Sequence, residues 1–430
     1  MNKINIGLCG LGTVGTGVVK ILREHQEELF HQTGCSLEVK KILVNNIEKE
    51  RELQIAEDVL TTDVTDIVND DSIDVVIEVM GGLKSAYELV GEALKNGKHV
   101  VTANKDMLAE YGSEIFHLAS KHNRDIFYEA SVAGGIPIIR TLKEGLIADR
   151  INQLMGIVNG TTNYILTKMD EEERQFDDVL KEAQELGFAE ADPSADIDGL
   201  DAARKIALMS TLSFSMPIDL KDVDVKGIRN IELEDLKLAK QLGYTMKLLG
   251  FANRHNGRVE VSVEPVLLQS DHPLTSVKNE YNAVYVYSDA VGETMFYGPG
   301  AGSLPTASAV VSDLIGVVKN ISLGTTGKSY VKPLYEKELQ TDEEMFGKYF
   351  FRLEVDDIAG TFLEITNIYT NADISFAKIS QVPDQSKGTA EIILVTHQAS
   401  KAKIHSVIQQ ITDLPAVRNL KSVYRVEEGE

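Results

Sequence analysis

The sequence predicts an α/β protein: a doubly wound parallel-sheet domain, then an α+β domain, then a small βαββαβ domain. Three observations carry this. KINIGLCGLGTVGTGVVKILREH has the pattern of a strand, a glycine turn and a helix; strand and helix patterns then alternate at parallel-sheet spacing; and the last stretch repeats strand–helix–strand–strand–helix–strand. A chain of 430 residues is too long for one core, so two or three domains are expected.

The first element is the strand ending at Cys9. Gly10-Leu11-Gly12-Thr13-Val14-Gly15 follows as a G-x-G-x-x-G fingerprint. The first glycine makes the turn, the second lets the backbone approach a pyrophosphate, and the third lets the helix pack on the sheet. The pyrophosphate belongs at the helix N-terminus, where free N–H groups point outward. Strands are predicted at 37–44, 74–80, 98–103 and 125–131, with helices at 84–96 and 106–122. This is a Rossmann-type dinucleotide-binding domain over 1–135; a further helix is expected at about 303–320, which the family resemblance given below implies returns to this domain. After the second strand an acid would select NAD. The chain has Val44-Asn45-Asn46 instead, with Lys49 and Arg51 nearby, which favours NADP over NAD. The same two cations are also compatible with a solvated loop.

Residues 136–302 are expected to form an α+β substrate and dimerisation domain. A strand at 151–158, helices at 177–186 and 198–213, and alternating stretches at 258–266 and 281–291 suggest a mixed or antiparallel sheet. Asp198 is the expected N-cap of the helix beginning there. An acidic linker spans 321–346, and the βαββαβ pattern occupies 347–430.

Composition narrows the function. The net charge of -23 argues against nucleic-acid and anionic-membrane partners, which require a basic footprint. No signal peptide or membrane span is expected, and two cysteines imply a reducing, cytoplasmic setting. Cys9 lies within a strand and Cys35 precedes one, so neither is a nucleophile for thioester chemistry. Nine scattered histidines do not make a zinc site.

Lysines and carboxylates remain. Lys105 follows the strand KHVVTA, at the carboxyl end of a sheet strand where ligands bind. The segment AQELGFAEADPSADIDGLDAARK (183–205) carries Glu185, Glu190, Asp192, Asp196, Asp198 and Asp201 and ends at Lys205. Asp201 and Lys205 stand at i and i+4, a spacing that by itself describes a surface ion pair. A lysine titrates near pH ~10.4, so acid–base work at neutrality requires burial or a second cation, which a second lysine provides. Pocket acids suit a substrate ammonium. Together these features suggest a small amino acid bearing a hydroxyl or aldehyde. Glu185 and Asp192 read as solvated.

The 183–205 segment, with GLGTVG (10–15), TANK (102–105), EASVAGGIPII (129–139), NGTTNYIL (159–166) and GPGAGSLPTASAVVSDL (298–314), resembles the homoserine dehydrogenases along the whole chain. The resemblance implies reversible NAD(P)-dependent interconversion of L-homoserine and L-aspartate 4-semialdehyde, a step towards threonine, methionine and isoleucine. It implies Lys205 as general acid/base, Lys105 as the second lysine beside substrate and nicotinamide, and Gly187, Glu190, Asp196 and Asp201 as substrate-binding residues. It implies cofactor contacts at the glycine turn, Asn45, Lys105, Gly187 and Gly302. A sodium ion would sit at Glu129, Val132, Gly134 and Ile136, largely on backbone oxygens; a tight glycine turn with no ion is the other reading of that loop. A homodimer or homotetramer is implied. The C-terminal domain resembles an ACT domain, which implies threonine as effector, although the usual Asp-x-Pro-Gly turn is here Asp357-Ile358-Ala359-Gly360. A purely structural C-terminal domain is the other reading of that region. For the whole chain the alternative is a non-catalytic sensor that retained the fold.

Overall fold

The apolar runs of the first third become a parallel sheet. The computed structural model describes residues 2–328 and 330–428. Residues 1, 329, 429 and 430, which fall inside the expected domain spans, lie outside the described residues. Two units emerge from the internal contacts. One is Met1–Ile151 with Arg204–Val223 and Asn282–Lys337; the other is Asn152–Ala203 with Asp224–Tyr281 and Glu338–Glu430.

The chain opens with β1 (Asn2–Cys9), α1 (Thr13–Glu24), α2 (Gln26–Thr33), β2 (Cys35–Leu43), β3 (Leu60–Thr61) and α3 (Thr65–Val68). It continues with β4 (Val75–Glu78), α4 (Lys84–Lys95), β5 (His99–Thr102), α5 (Lys105–Lys121), β6 (Ile126–Phe127) and α6 (Ile138–Arg140). The middle holds β7 (Ile151–Ile157), α7 (Gly160–Glu172), α8 (Phe176–Glu185), α9 (Ser194–Ile197), α10 (Leu200–Phe214), β8 (Asp224–Val225), α11 (Leu233–Gln241), β9 (Tyr244–His255) and β10 (Arg258–Gln269). Then come β11 (Tyr281–Ser288), β12 (Gly292–Pro299) and α12 (Ser303–Leu323). The last stretch is β13 (Phe346–Asp356), α13 (Thr361–Asn371), β14 (Phe376–Asp384), β15 (Thr389–Thr396), β16 (Ala399–Ser400), α14 (Lys401–Thr412) and β17 (Val417–Glu427).

In the first unit the sheet order is β3-β2-β1-β4-β5-β6, every pair parallel. This is the doubly wound order, whose direction reverses between β1 and β4. β4 and β5 are buried at every position, as strands covered on both faces must be. Register aligns the carboxyl ends: Cys9 pairs with Leu43 and Glu78, and Glu78 pairs with Thr102. The ligand crevice of such a sheet lies beyond these ends. α12 joins the same core, where Val310, Val311, Leu314 and Val317 pack with Ile6, Val18 and Val19. By length and composition α12 is also the one helix among the described residues that could cross a membrane; half of that apolar stretch is buried within this protein.

In the second unit the strands run β7-β9-β10-β17-β13-β15-β14. β9 and β10 form a long antiparallel hairpin, and β17 joins β10 in parallel. The segment β13-α13-β14-β15-α14-β17 is the βαββαβ expected from the sequence, with its strands in the split order β17-β13-β15-β14. Phe351, Leu353, Tyr369, Ile392 and Val407 fill its core. Buried ion pairs tie it to its own unit. Arg352 on β13 meets Asp235 on α11 at 3.0 Å, and Asp235 also accepts from Ser422 and Tyr424 at 2.8 and 2.7 Å.

Two local expectations need correction. The strand expected at 125–131 stops at Phe127, because the Glu129 N–H turns to Asp313 (2.7 Å) and residues 129–131 coil into a 3-10 turn. Asp198 is not an N-cap. It closes α9, and Gly199 at φ +86° starts α10, leaving the Asp198 carboxylate to take both arms of Arg229 at 2.9 Å. NGTTNYIL, given no element from sequence, lies in α7 and its cap.

Candidate active site

The glycine turn is a steric necessity at two of its three positions. Gly10 takes φ +108°, and a methyl there would stand 2.7 Å from the Val79 carbonyl oxygen. A methyl on Gly15 would collide with the Gly10 carbonyl. A methyl on Gly12 would meet nothing within 4 Å, so the backbone here faces open space. No side chain caps α1, so its first N–H groups remain for an anion. These features fit a dinucleotide pyrophosphate. The start of α12 adjoins the turn: Gly302, at φ +125°, caps it, and Ser303 Oγ donates to the Thr13 carbonyl at 2.7 Å. Leu11, Thr13, Val14 and Gly302 are therefore neighbours of one cradle. Asn45 is exposed just beyond β2, whose last residue, Leu43, accepts the Gly10 N–H at 3.0 Å. Arg51 does not extend towards a ligand. Its guanidinium donates to the carbonyls of Ile47 and Lys49 at 2.7 Å and to that of Asn46.

Lys105 is the first residue of α5. Asn104 caps this helix by accepting the Met107 N–H at 3.0 Å, and its amide donates to the Gly82 carbonyl at 2.7 Å. Beneath it lies Glu78, fully buried, which accepts from Thr102 Oγ1 at 2.6 Å and from the Met80 N–H at 3.0 Å. Burial pushes the Glu78 carboxyl up, and its hydrogen bonds pull the other way. Sequence reading missed Glu78; the available signal was an acid inside the apolar strand DVVIEVM. Asp106, next after Lys105, pairs at 3.2 Å with Arg204, the residue before Lys205. The structure thus brings the two lysine segments together within the first unit, and Lys205 is nearly buried at 9% exposure. Cys9 is buried and its thiol is pushed up by that burial, while Cys35 is buried under Ser322. Neither is placed as a nucleophile.

The acids belong to the second unit. Asn159 caps α7 by accepting the Thr162 N–H at 2.9 Å, and its amide nitrogen reaches both Asp196 (2.7 Å) and Asp201 (2.9 Å). One amide therefore sets the spacing of two carboxylates 37 and 42 residues away. Asn159 had no role assigned from sequence. Its signal was an Asn directly before a helix pattern, an ordinary N-cap. Gly187, at φ +78°, ends α8; Thr161 Oγ1 pins the neighbouring Phe188 carbonyl at 2.6 Å. Glu190 is exposed, its carbonyl held by Gln184 at 3.1 Å, and the Asn159 bridge does not include it. Glu185 is exposed, and Asp192 accepts only locally, from the Ser194 N–H at 3.1 Å. On α10, Asp201 belongs to the second unit and Lys205 to the first.

The Glu129 loop is a tight turn. Ala133 and Gly134 both take φ +54°, and a methyl on Gly134 would collide with the Gly300 carbonyl. The Glu129 carboxylate is engaged by the N–H groups of Ile139 (2.7 Å) and Arg140 (2.8 Å). Burial raises Glu129 and pushes Asp313 up to about 7. A cation at Glu129, Val132, Gly134 and Ile136 would therefore be held by main-chain oxygens. No grouping of three or more His, Cys, Asp or Glu able to hold a metal occurs among the described residues.

Residues 137–315 match the family model for homoserine dehydrogenase, and 10–129 match the model for its NAD-binding domain. The chain is 54% identical over 428 residues to a Bacillus subtilis homoserine dehydrogenase, covering 99% of each chain. It is 41% identical to one from Synechocystis, over 98% of this chain and 99% of that one. A crystal structure of a Thiobacillus denitrificans homoserine dehydrogenase superposes with a TM-score of 0.94 at 41% identity, covering 100% of this chain and 99% of that one. A hyperthermophilic archaeal homoserine dehydrogenase solved in complex with NADPH gives 0.61 at 28% identity, over 77% of this chain and 99% of that one. With both family models matched in sequence and the likeness running from end to end, the chain belongs to the homoserine dehydrogenases, NAD(P)-dependent oxidoreductases acting on a CH–OH group.

Proposed function

We propose that Lys205 is the proton shuttle of the homoserine–aspartate 4-semialdehyde interconversion in this chain, with Lys105 as its cationic partner. The observation that carries this reading is the Asp106–Arg204 pair, which ties the neighbour of one lysine to the neighbour of the other. Bound nicotinamide supplies the hydride acceptor or donor for C4 of the substrate. Lys205 takes the hydroxyl proton in the oxidative direction and returns it in the reductive one. Two ammonium groups facing one hydroxyl compete for protons, which helps one of them act as the base. Lys105 stabilises negative charge developing on the substrate oxygen. Asp196 and Asp201, spaced by Asn159, receive the substrate ammonium, with Glu190 and Gly187 at the loop above α9. Lys205→Ala tests the assignment: turnover should collapse while cofactor binding survives, and turnover close to wild type overturns it. A non-catalytic sensor is the weaker reading, since both lysines and both bridged acids are present.

The finer assignments follow from the same residues. NADP is preferred over NAD because Asn45 and Asn46 stand where NAD-selective sheets place an acid. With Arg51 held by its own loop, the amides of Asn45 and Asn46 carry that preference, read as the ratio of the kcat/KM values for the two cofactors. The 129–136 loop suits Na+, a hard cation that takes carbonyl oxygens, and activity in sodium against choline buffers tests it. The βαββαβ domain is proposed as an ACT-like effector module for threonine. Gly360, at φ +102° with open space at its missing Cβ, leaves the turn before α13 accessible despite the absent proline. An unchanged rate across a threonine titration would remove that role. A cytoplasmic homodimer or homotetramer completes the reading.

A further inference from the structure

Within the second unit, a cavity of about 380 Å³ opens between the loop after β8 and the β17–α14 side of the C-terminal domain. Lys226, Arg229 and Lys421 line it with a single acid, Asp198, over apolar Leu420 and Ile408. Three cations stand in its wall against one lining acid, in a chain whose net charge is -23. Arg229 forks onto Asp198 and Lys421 meets Glu354 at 2.9 Å. Lys226 differs: its ammonium donates to a carbonyl, that of Val423 at 2.8 Å, and lies 5.0 Å from the Tyr424 ring. Cations above an apolar floor recognise a carboxylate that carries a short hydrocarbon chain.

The wall of the cavity is locked to the acid segment. A methyl on Gly227 would collide with the Ile197 carbonyl, the Ile228 N–H donates to that carbonyl at 2.8 Å, and the Lys226 N–H donates to Val263 at 2.7 Å. The next residues are Asp198 and Gly199, and then α10 with Asp201. We propose that this cavity binds a small organic carboxylate with a short apolar chain, and that its occupation weakens substrate binding. A carboxylate that captures Arg229 releases Asp198, and with it the turn that aims Asp201. A ligand shifts the equilibrium only through such a difference in contacts between two states. The kinetic half rests on the reading of Asp196 and Asp201 as substrate ligands; the binding half does not.

The probe is isovalerate, titrated calorimetrically into the full-length enzyme and added to initial-rate assays. Wild type should bind it, and the KM for homoserine should rise severalfold at saturation. Lys226→Met should weaken binding by about tenfold, the equivalent of losing one charge-assisted hydrogen bond. Asn230→Trp, which fills the cavity from an exposed position, should abolish it. Both variants should keep the basal rate and lose the KM response. Undetectable binding in the millimolar range, or binding unchanged in both variants, overturns the site. Binding that leaves KM unmoved overturns the coupling. Failure of the substrate reading is visible separately, as an unchanged KM for homoserine in Asp201→Asn while isovalerate still binds.

Discussion

The nucleotide cradle and the acid pair are built by opposite means. The cradle is six consecutive residues, shaped by which positions tolerate a Cβ. The acid pair comes from three distant positions, held by one amide of Asn159. The first device is steric and local, so a single substitution disrupts it by collision. The second is a hydrogen-bonded bridge across 42 residues, so it fails by losing a donor, and nothing nearby in sequence announces it.

The largest effect should come from the proposed proton shuttle. Lys205→Ala is expected to lower kcat by roughly 10²–10⁴, the range of general acid–base catalysis, with NADPH affinity by fluorescence titration nearly unchanged. Next, Arg352→Met leaves the Asp235 carboxylate buried without its cation. The chemical denaturation midpoint should fall by the equivalent of about 3–5 kcal/mol. A small change would mean that the C-terminal domain is docked by apolar packing instead.

The cradle is tested by a contrast between two glycines. Gly15→Ala should cost about 1–3 kcal/mol of stability through the clash with Gly10 and also weaken cofactor binding. Gly12→Ala, with open space around it, should keep the melting temperature and lose only cofactor affinity. Equal melting temperatures in the two variants would break the steric account. For the acid pair, Asn159→Ala should raise the KM for homoserine by about tenfold with a smaller change in kcat, and cost about 1 kcal/mol through the lost helix cap.

The smallest effect is a pH slope. Lys247, buried on β9, donates to Asn163 Oδ1 at 2.9 Å and to the Val277 carbonyl at 2.5 Å. Burial lowers it from 10.5 to about 8. Between those values the unfolded chain holds the extra proton, so stability attributable to this residue rises with pH across that window. Melting temperatures of wild type and Lys247→Met should therefore diverge in favour of wild type above about pH 8. Parallel curves would place the ammonium in a better solvated site.

By itself the sequence determined the elements whose code is short-range. The glycine spacing, the period-two and period-3.6 patterns and the βαββαβ order are all consequences of backbone sterics and of which faces must leave water, and each is written within a few residues. The pairing of Lys105 with Lys205 as candidates was legible from their motif context. Only the tertiary structure decided the rest. It turned Asp198 away from helix capping to Arg229, folded Arg51 onto its own loop, set buried Glu78 beneath the Lys105 turn, and made Asn159 the bridge between Asp196 and Asp201. A polar side chain has several acceptors or donors of similar strength to choose from, and the choice is made by what the packed chain brings within about 3 Å of it.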